Sequence, residues 1–397
     1  MAYLDHAAST PVLPAVAEAV FAALGSVGNP SSLHSAGRRA RRLVEESRER
    51  VASALGARPS EVVFTSGGTE GDNLAVKGIA WARRASDPQR RRLLVSRIEH
   101  HAVLDAVLWL EAADGFEITW LDVDAEGRIA PAVLEAALHA GTGPADVALV
   151  TAMWANSEVG TVQDVPALAA VAAEHGVPLH TDAVQAVGSV PVDVTGSGAD
   201  ALTLSGHKLG GPPGTGAVIL GRSTGCTPLL HGGGHERDVR SGSLDVPGIA
   251  GLAVAVETAV RRLPEHAARL AGLRDDLVAG VLAAVPDAVL NGPALSSGER
   301  LPGNAHLSFP GCEGDALLML LDARGVECST GSACSAGVAR PSHVLLAMGA
   351  DEQRARGSLR FTLGHPSTSA DVDDAVAAIG PAVERARRAG LAMRVRS

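Results

Sequence analysis

Basic charge, aromatic rings, cysteine and lysine are all in short supply in this chain. Lysine and arginine total 34 against 44 aspartates and glutamates, a formal net charge of -10, so no chain-wide positive field exists to gather phosphate backbones. Aromatic residues make up 3%, with a single tyrosine, too few to stack bases along a surface. Direct binding of nucleic acid is therefore not expected. Four cysteines, Cys226, Cys312, Cys328 and Cys334, cannot build a disulfide framework in 397 residues, and a reducing, cytoplasmic setting is expected. No run approaches about eighteen uncharged apolar residues, so no membrane span is expected. Met1 to His6 carries an acid where a secretory signal would have its basic and apolar segments, so no leader is expected either.

The scarcity of lysine is the most informative absence, because Lys77 and Lys208 are the only two. A guanidinium stays protonated and does not condense with a carbonyl, so any amine chemistry rests on one of this pair.

What is present is an alternation of short apolar runs with stretches of helical period, the pattern of a parallel sheet wrapped by helices. Residues 62–65, 93–96, 118–121, 147–151, 179–182, 201–204 and 217–220 read as seven buried strands, and 105–112, 131–140 and 165–174 as helices. From 249 to 284 the chain is alanine-rich and amphipathic, with Pro264 expected to interrupt it. Beyond lie strand-like segments at 305–309 and 358–362 and helical ones at 315–324 and 371–389. The expected fold class is α/β. A large domain, 15–262, would hold a seven-stranded, mainly parallel sheet, and a smaller α+β domain, 1–14 plus 263–397, would carry a cysteine loop at about 325–340.

Four segments carry chemistry. In Ser205-Gly206-His207-Lys208-Leu209-Gly210-Gly211 the lysine follows a buried strand in a glycine-rich turn, where desolvation would free its amine; a solvated turn lysine is the alternative. His180-Thr181-Asp182-Ala183-Val184-Gln185 ends the preceding strand, at the edge where α/β sheets bind ligands. Asp182 could hold a pyridinium proton there, or simply cap a helix. Ser66-Gly67-Gly68-Thr69-Glu70 joins a strand to a helix start without the Walker or GxGxxG spacing, and reads as a phosphate cup or a plain capped turn. Finally, Cys328-Ser329-Thr330-Gly331-Ser332-Ala333-Cys334 is a run of small residues in which Cys334 has no bulky apolar neighbour, suiting a nucleophile, whereas Cys328 reads as a packing residue. Two cysteines six apart lack a second ligand pair, so no metal site is expected.

In this order the four segments resemble the cysteine desulfurases, pyridoxal-phosphate enzymes of fold type I in the class V aminotransferase group. The similarity extends from Tyr3-Leu4-Asp5-His6-Ala7-Ala8-Ser9-Thr10-Pro11 through Gly28-Asn29-Pro30-Ser31-Ser32 to Leu359-Arg360-Phe361-Thr362-Leu363-Gly364. The resemblance implies that Lys208 holds pyridoxal 5'-phosphate covalently, Asp182 faces its pyridine nitrogen, Gln185 donates to the ring hydroxyl, and His100 stacks on the ring and carries protons. It implies a phosphate cup of Gly68, Thr69, Ser205 and His207, completed by Ser243 from the neighbouring subunit of a homodimer. Asn156 and Arg360 match contacts to the substrate carboxylate. Cys334 matches the sulfur acceptor, on a loop similar to the group with a long mobile cysteine segment.

The implied reaction converts L-cysteine to L-alanine with a persulfide on Cys334, which then passes to a sulfur-acceptor protein for iron-sulfur cluster assembly or tRNA thiolation. Alternative readings are a selenocysteine lyase and a sulfur donor for DNA phosphorothioation.

Overall fold

Seven segments become one sheet because six of them are buried on both faces, as a doubly covered layer requires, while the seventh, Glu117–Leu121, is a partly exposed edge strand. They are Val62–Thr65 (β1), Arg92–Ser96 (β2), Glu117–Leu121 (β3), Val147–Thr151 (β4), Leu179–Asp182 (β5), Ala201–Ser205 (β6) and Gly216–Leu220 (β7). The computed structural model describes residues 1–331 and 341–394, with 389–394 as backbone only. Strand order is β1-β7-β6-β5-β4-β2-β3. All pairings are parallel except the two made by β7, which runs antiparallel to β1 and β6. The C-terminal ends of β1, β2, β4, β5 and β6 consequently share one edge of the sheet.

Helices Pro14–Leu24 (α1), Ser35–Ala54 (α2), Gly68–Ser86 (α3), His101–Asp114 (α4), Pro131–His139 (α5) and Val165–Glu174 (α6) cover this sheet. The long helix Val246–Ala284 (α7) leaves it. Its first half contributes Ile249, Leu252 and Val256 to the main core, and its second half Leu270, Leu277 and Val281 to a separate one. Pro264 does not interrupt α7, contrary to expectation. It sits at an exposed stretch between the two cores, where water can serve the carbonyl left without an amide donor while packed turns on either side hold the axis.

The second core is built on Asn304–Ser308 (β8) and Ser358–Thr362 (β9), an antiparallel pair flanked by Val289–Leu290, with helices Gly314–Asp322 (α8) and Ser369–Arg394 (α9). The N-terminus belongs to it. Ala2–Tyr3 pairs in parallel with Val326–Glu327, and Ala2 and Leu4 are fully buried.

One segment of the large unit is strained. Glu236, Arg237 and Asp238 have φ of 45°, 59° and 62°, a left-handed run that L-residues adopt only when the surroundings impose it. Here Arg48 of α2 donates to both Glu236 carboxylate oxygens at 2.8 and 2.6 Å, and the Phe64 amide of β1 donates at 2.8 Å. Arg48 and Glu236 are both buried. The segment thus anchored leads to Arg240, which pairs with Glu70 on the first turn of α3 at 2.7 Å, and to Ser243.

Removing one partner of such a pair strands a buried charge. Glu236→Ala should lower the unfolding free energy by about 3–5 kcal/mol, read as a fall in the urea midpoint. A loss well under about 1 kcal/mol, the range of exposed ion pairs, would mean that Glu236 does not anchor the segment.

Candidate active site

The shared sheet edge gathers five segments from distant parts of the chain. Ser66–Thr69 follows β1, Glu99 and His100 follow β2, Met153–Asn156 follow β4, Asp182–Gln185 close β5, and Ser205–Lys208 close β6. Lys208 lies on the turn Gly206–Lys208 and donates through Nζ to the carbonyl oxygens of Ala7 and Ala8 at 2.5 and 2.7 Å. Burial and, secondarily, the Arg360 cation lower its pKa to about 8, against the attraction of Asp5 and Asp182. Lys77 is occupied elsewhere, its ammonium 4.5 Å from the centroid of the Trp109 ring between α3 and α4. Of the two lysines, Lys208 is the one in the crevice.

Asp182 is buried, and its Oδ1 accepts from the Val184 amide at 2.8 Å. The carboxylate therefore makes the local turn contact anticipated of a cap while its environment raises its pKa to about 6, chiefly through burial, opposed by the Val184 amide and Lys208. Two further buried carboxyls stand near it. Glu99 is pushed up to about 8 by burial and then by Asp182, and Asp72, on α3, is raised well above the carboxylate range by burial and then by Asp182. Neither acid was singled out in the sequence, although Asp72 follows the Ser66–Glu70 turn by two residues and Glu99 precedes His100. Desolvation and mutual repulsion leave one negative charge in this region, on Asp182, which has the amide and the lysine to support it.

His100 caps α4, its Nδ1 accepting from the Ala102 amide at 3.1 Å. Its ring is open to solvent on one side. Protein crowding on the others, followed by repulsion from Lys208, His101 and His343, lowers its pKa to about 4, so the imidazole is neutral. His101 is exposed beside His343, with ring centroids 5.4 Å apart. Gln185 Nε2 donates to the Ala7 carbonyl at 2.9 Å, sharing that acceptor with Lys208.

The start of α3 fits a phosphate. No side chain caps it, Gly67 has φ of 150°, and Gly68 is packed so closely that an added Cβ would lie 2.9 Å from Val184 Cγ2 and 3.6 Å from Ser205 Cβ. Uncapped amides, the Ser205 and Thr69 side chains and a space closed to any residue but glycine are what an anionic group requires. A buried Asp182 carboxylate that keeps its charge near a lysine of lowered pKa suits a pyridinium in the same way. The residues present fit pyridoxal phosphate. His207, half-buried, has its pKa lowered by burial and Lys208. Ser243 is exposed and makes no hydrogen bond to Thr69, Ser205 or His207.

Arg360, on β9, brings the second unit to the crevice. It donates to Asp5 Oδ1 at 2.7 Å and to the Ser157 carbonyl at 3.2 Å, while its buried Nε has no partner among the described residues. Asp5 was quoted in the sequence only as part of the N-terminal motif, and 355 positions separate it from Arg360. Asn156, expected from the resemblance to meet the substrate carboxylate, is buried just past the end of β4. Its Nδ2 donates to the Ile98 carbonyl and its Oδ1 accepts from the Glu158 and Val159 amides, at 3.0, 2.9 and 2.9 Å, so it ties the β4 turn to the residue before Glu99.

Cys334 lies outside the described residues, as does most of the segment assigned to the cysteine loop. The chain on either side of it is defined. Ser329 pairs with Arg360 through two backbone hydrogen bonds, Gly331 sits against Glu158, and Ser342 donates to Glu158 Oε2. Cys328 is buried in the second core, and burial pushes its thiol up to about 12. It packs, as the sequence suggested. A side chamber of about 530 Å³ opens between the units, walled by His6, Gln185, Lys208, Asn304 and His365 but by neither Asp182 nor His100.

The Aminotransferase class-V family matches residues 2–375. An IscS-like cysteine desulfurase of Mycobacterium tuberculosis is 58% identical over 392 residues, which are 99% of this chain and 98% of that one. Among solved structures, a NifS-like protein superposes with a TM-score of 0.88 at 34% identity, covering 97% of this chain and 100% of the other. A structure described as SspA in complex with cysteine gives a TM-score of 0.78 at 35% identity over 91% and 99%.

The buried acids make a pH prediction. Glu99 holds its proton in the folded chain up to about pH 8, whereas an unfolded glutamate releases it near about 4.3. Folding of the cofactor-free protein therefore loses stability from this group as pH rises between those values, by at most about 1.4 kcal/mol per unit. Glu99→Gln should flatten that slope in urea unfolding at pH 5.5, 7 and 8.5; an unchanged slope would show that Glu99 is ionised throughout.

Proposed function

The chain belongs to the class-V aminotransferase family and within it is a pyridoxal-phosphate-dependent cysteine desulfurase, and from that premise we propose that Lys208, Asp182, Arg360 and Cys334 divide the reaction among them. Pyridoxal phosphate, when bound, supplies the conjugated ring that takes up the electron pair released at the substrate carbon. Lys208 would hold the aldehyde and move protons at the substrate carbon, duties its lowered pKa supports. Asp182 would keep the pyridine nitrogen protonated and Gln185 would meet the ring hydroxyl. His100, a neutral imidazole, would lie against the ring and be able to relay a proton. Gly68, Thr69, Ser205 and His207 hold the phosphate with Ser243 of a second subunit, which makes the working unit a homodimer.

The observation that carries this reading is the convergence of Lys208, Asp182 and Arg360, whose Nε has no partner among the described residues, on one crevice, with both ends of the segment bearing Cys334 fixed beside Arg360 and Glu158. Arg360 would take the carboxylate of L-cysteine through Nε and its remaining N–H groups, on a turn kept in place by Asn156. The cysteine-bound SspA relative supports that substrate. Cys334 then accepts the sulfur as a persulfide, alanine leaves, and an acceptor protein of iron-sulfur cluster assembly takes the sulfur; thiolation of tRNA would draw on the same persulfide. We divide the chain into a large unit, 15–262, and a small one, 1–14 plus 263–397, with the reaction at their junction in the cytoplasm. No helix among the described residues is long and apolar enough to cross a membrane.

Cys334→Ser should retain the visible absorption of the bound cofactor while cysteine-dependent sulfide release falls to background. Sulfide release at the wild-type rate would remove Cys334 from the pathway.

A further inference from the structure

Away from the crevice, three side chains converge with the donor types of a transition-metal site. Glu135 and His139 occupy one face of the last turns of α5, four residues apart, and His175 follows the last residue of α6. His139 Nε2 lies 2.9 Å from Glu135 Oε1, and His175 Nε2 lies 3.2 and 3.1 Å from Oε1 and Oε2 of the same carboxylate. The two imidazole rings stand perpendicular with centroids 5.0 Å apart, and one ligand atom from each of the three residues falls within 4.8 Å of the others. Zinc bonds of about 2.0–2.1 Å to nitrogen and oxygen place neighbouring tetrahedral ligands about 3.3 Å apart. The histidine–glutamate separations are close to that edge and the two imidazoles offer ligand atoms within 4.8 Å of each other, so side-chain adjustments suffice to seat an ion.

We propose that Glu135, His139 and His175 form a zinc site with one coordination position open to water. Two imidazoles select a transition metal over calcium or magnesium, which prefer all-oxygen shells. The backbone holds the ligands in place. Glu135 and His139 are one helical turn apart, and the His175 amide is bonded to the Ala172 carbonyl at the end of α6. The ligands lie before β4 and β5, at the edge of the sheet opposite Asp182 and Lys208. The site is therefore independent of the desulfurase reaction, and it goes beyond the sequence reading, which expected no metal site. Thirty-five residues intervene between His139 and His175, so no short motif announces it.

Equilibrium dialysis of the cofactor-loaded protein against zinc chloride tests the site. Wild type should retain one zinc per chain beyond any bound by cysteines, and His139→Ala, His175→Ala and Glu135→Ala should each weaken that retention at least about tenfold, with cofactor absorption unchanged. If His175→Ala fails to fold, His139→Ala, at an exposed helix end, carries the test. Equal retention by wild type and the histidine variants, as zinc on cysteine thiols would give, overturns the proposal, and so does no retention by wild type.

Discussion

Charge balance at one edge of the sheet is the constraint from which the remaining organisation follows. Asp182, Asp72 and Glu99 are buried within reach of one another's fields, and a low-dielectric interior does not hold three carboxylates unpaired. Asp182 keeps the charge because an amide and the Lys208 ammonium face it. Lys208 in turn is held by two carbonyls of the N-terminal segment, so the first ten residues are part of the site even though they belong to the other core.

The two units meet through polar contacts that converge on the same crevice. Arg360 reaches Asp5 and Ser157, Ser329 pairs with the Arg360 backbone, and Ser342 closes on Glu158. Each contact joins parts of the chain far apart in sequence, and together they set the distance from Lys208 to Arg360. Helix α7 fixes that distance mechanically, with one half packed in each core. This also explains why a proline at its middle is tolerated.

Much of this was legible in the sequence, for identifiable reasons. Buried parallel strands read as short apolar runs, and all seven were found within a residue or so of their ends. Lys208 stood out because lysine is so scarce, and the glycine turns because few conformations accept them. What stayed hidden depends on contacts between remote positions. Asp5 and Arg360 carry no local sign of their pairing, Glu99 and Asp72 look like ordinary surface acids until the fold buries them, and nothing local announces that Asn156 Nδ2 bonds the Ile98 carbonyl 58 positions away. Pro264 misled because helix propensity was read without the cores that stabilise both flanks.

The central claim is that one specific amine, beside Asp182, bears the cofactor. Reducing the yellow holoprotein with borohydride and mapping the labelled peptide by mass spectrometry tests it directly, since only two lysines can carry the label. The account requires the reduced pyridoxyl group on the peptide containing Lys208. Label on Lys77, or a colourless protein that takes up no cofactor, would contradict it.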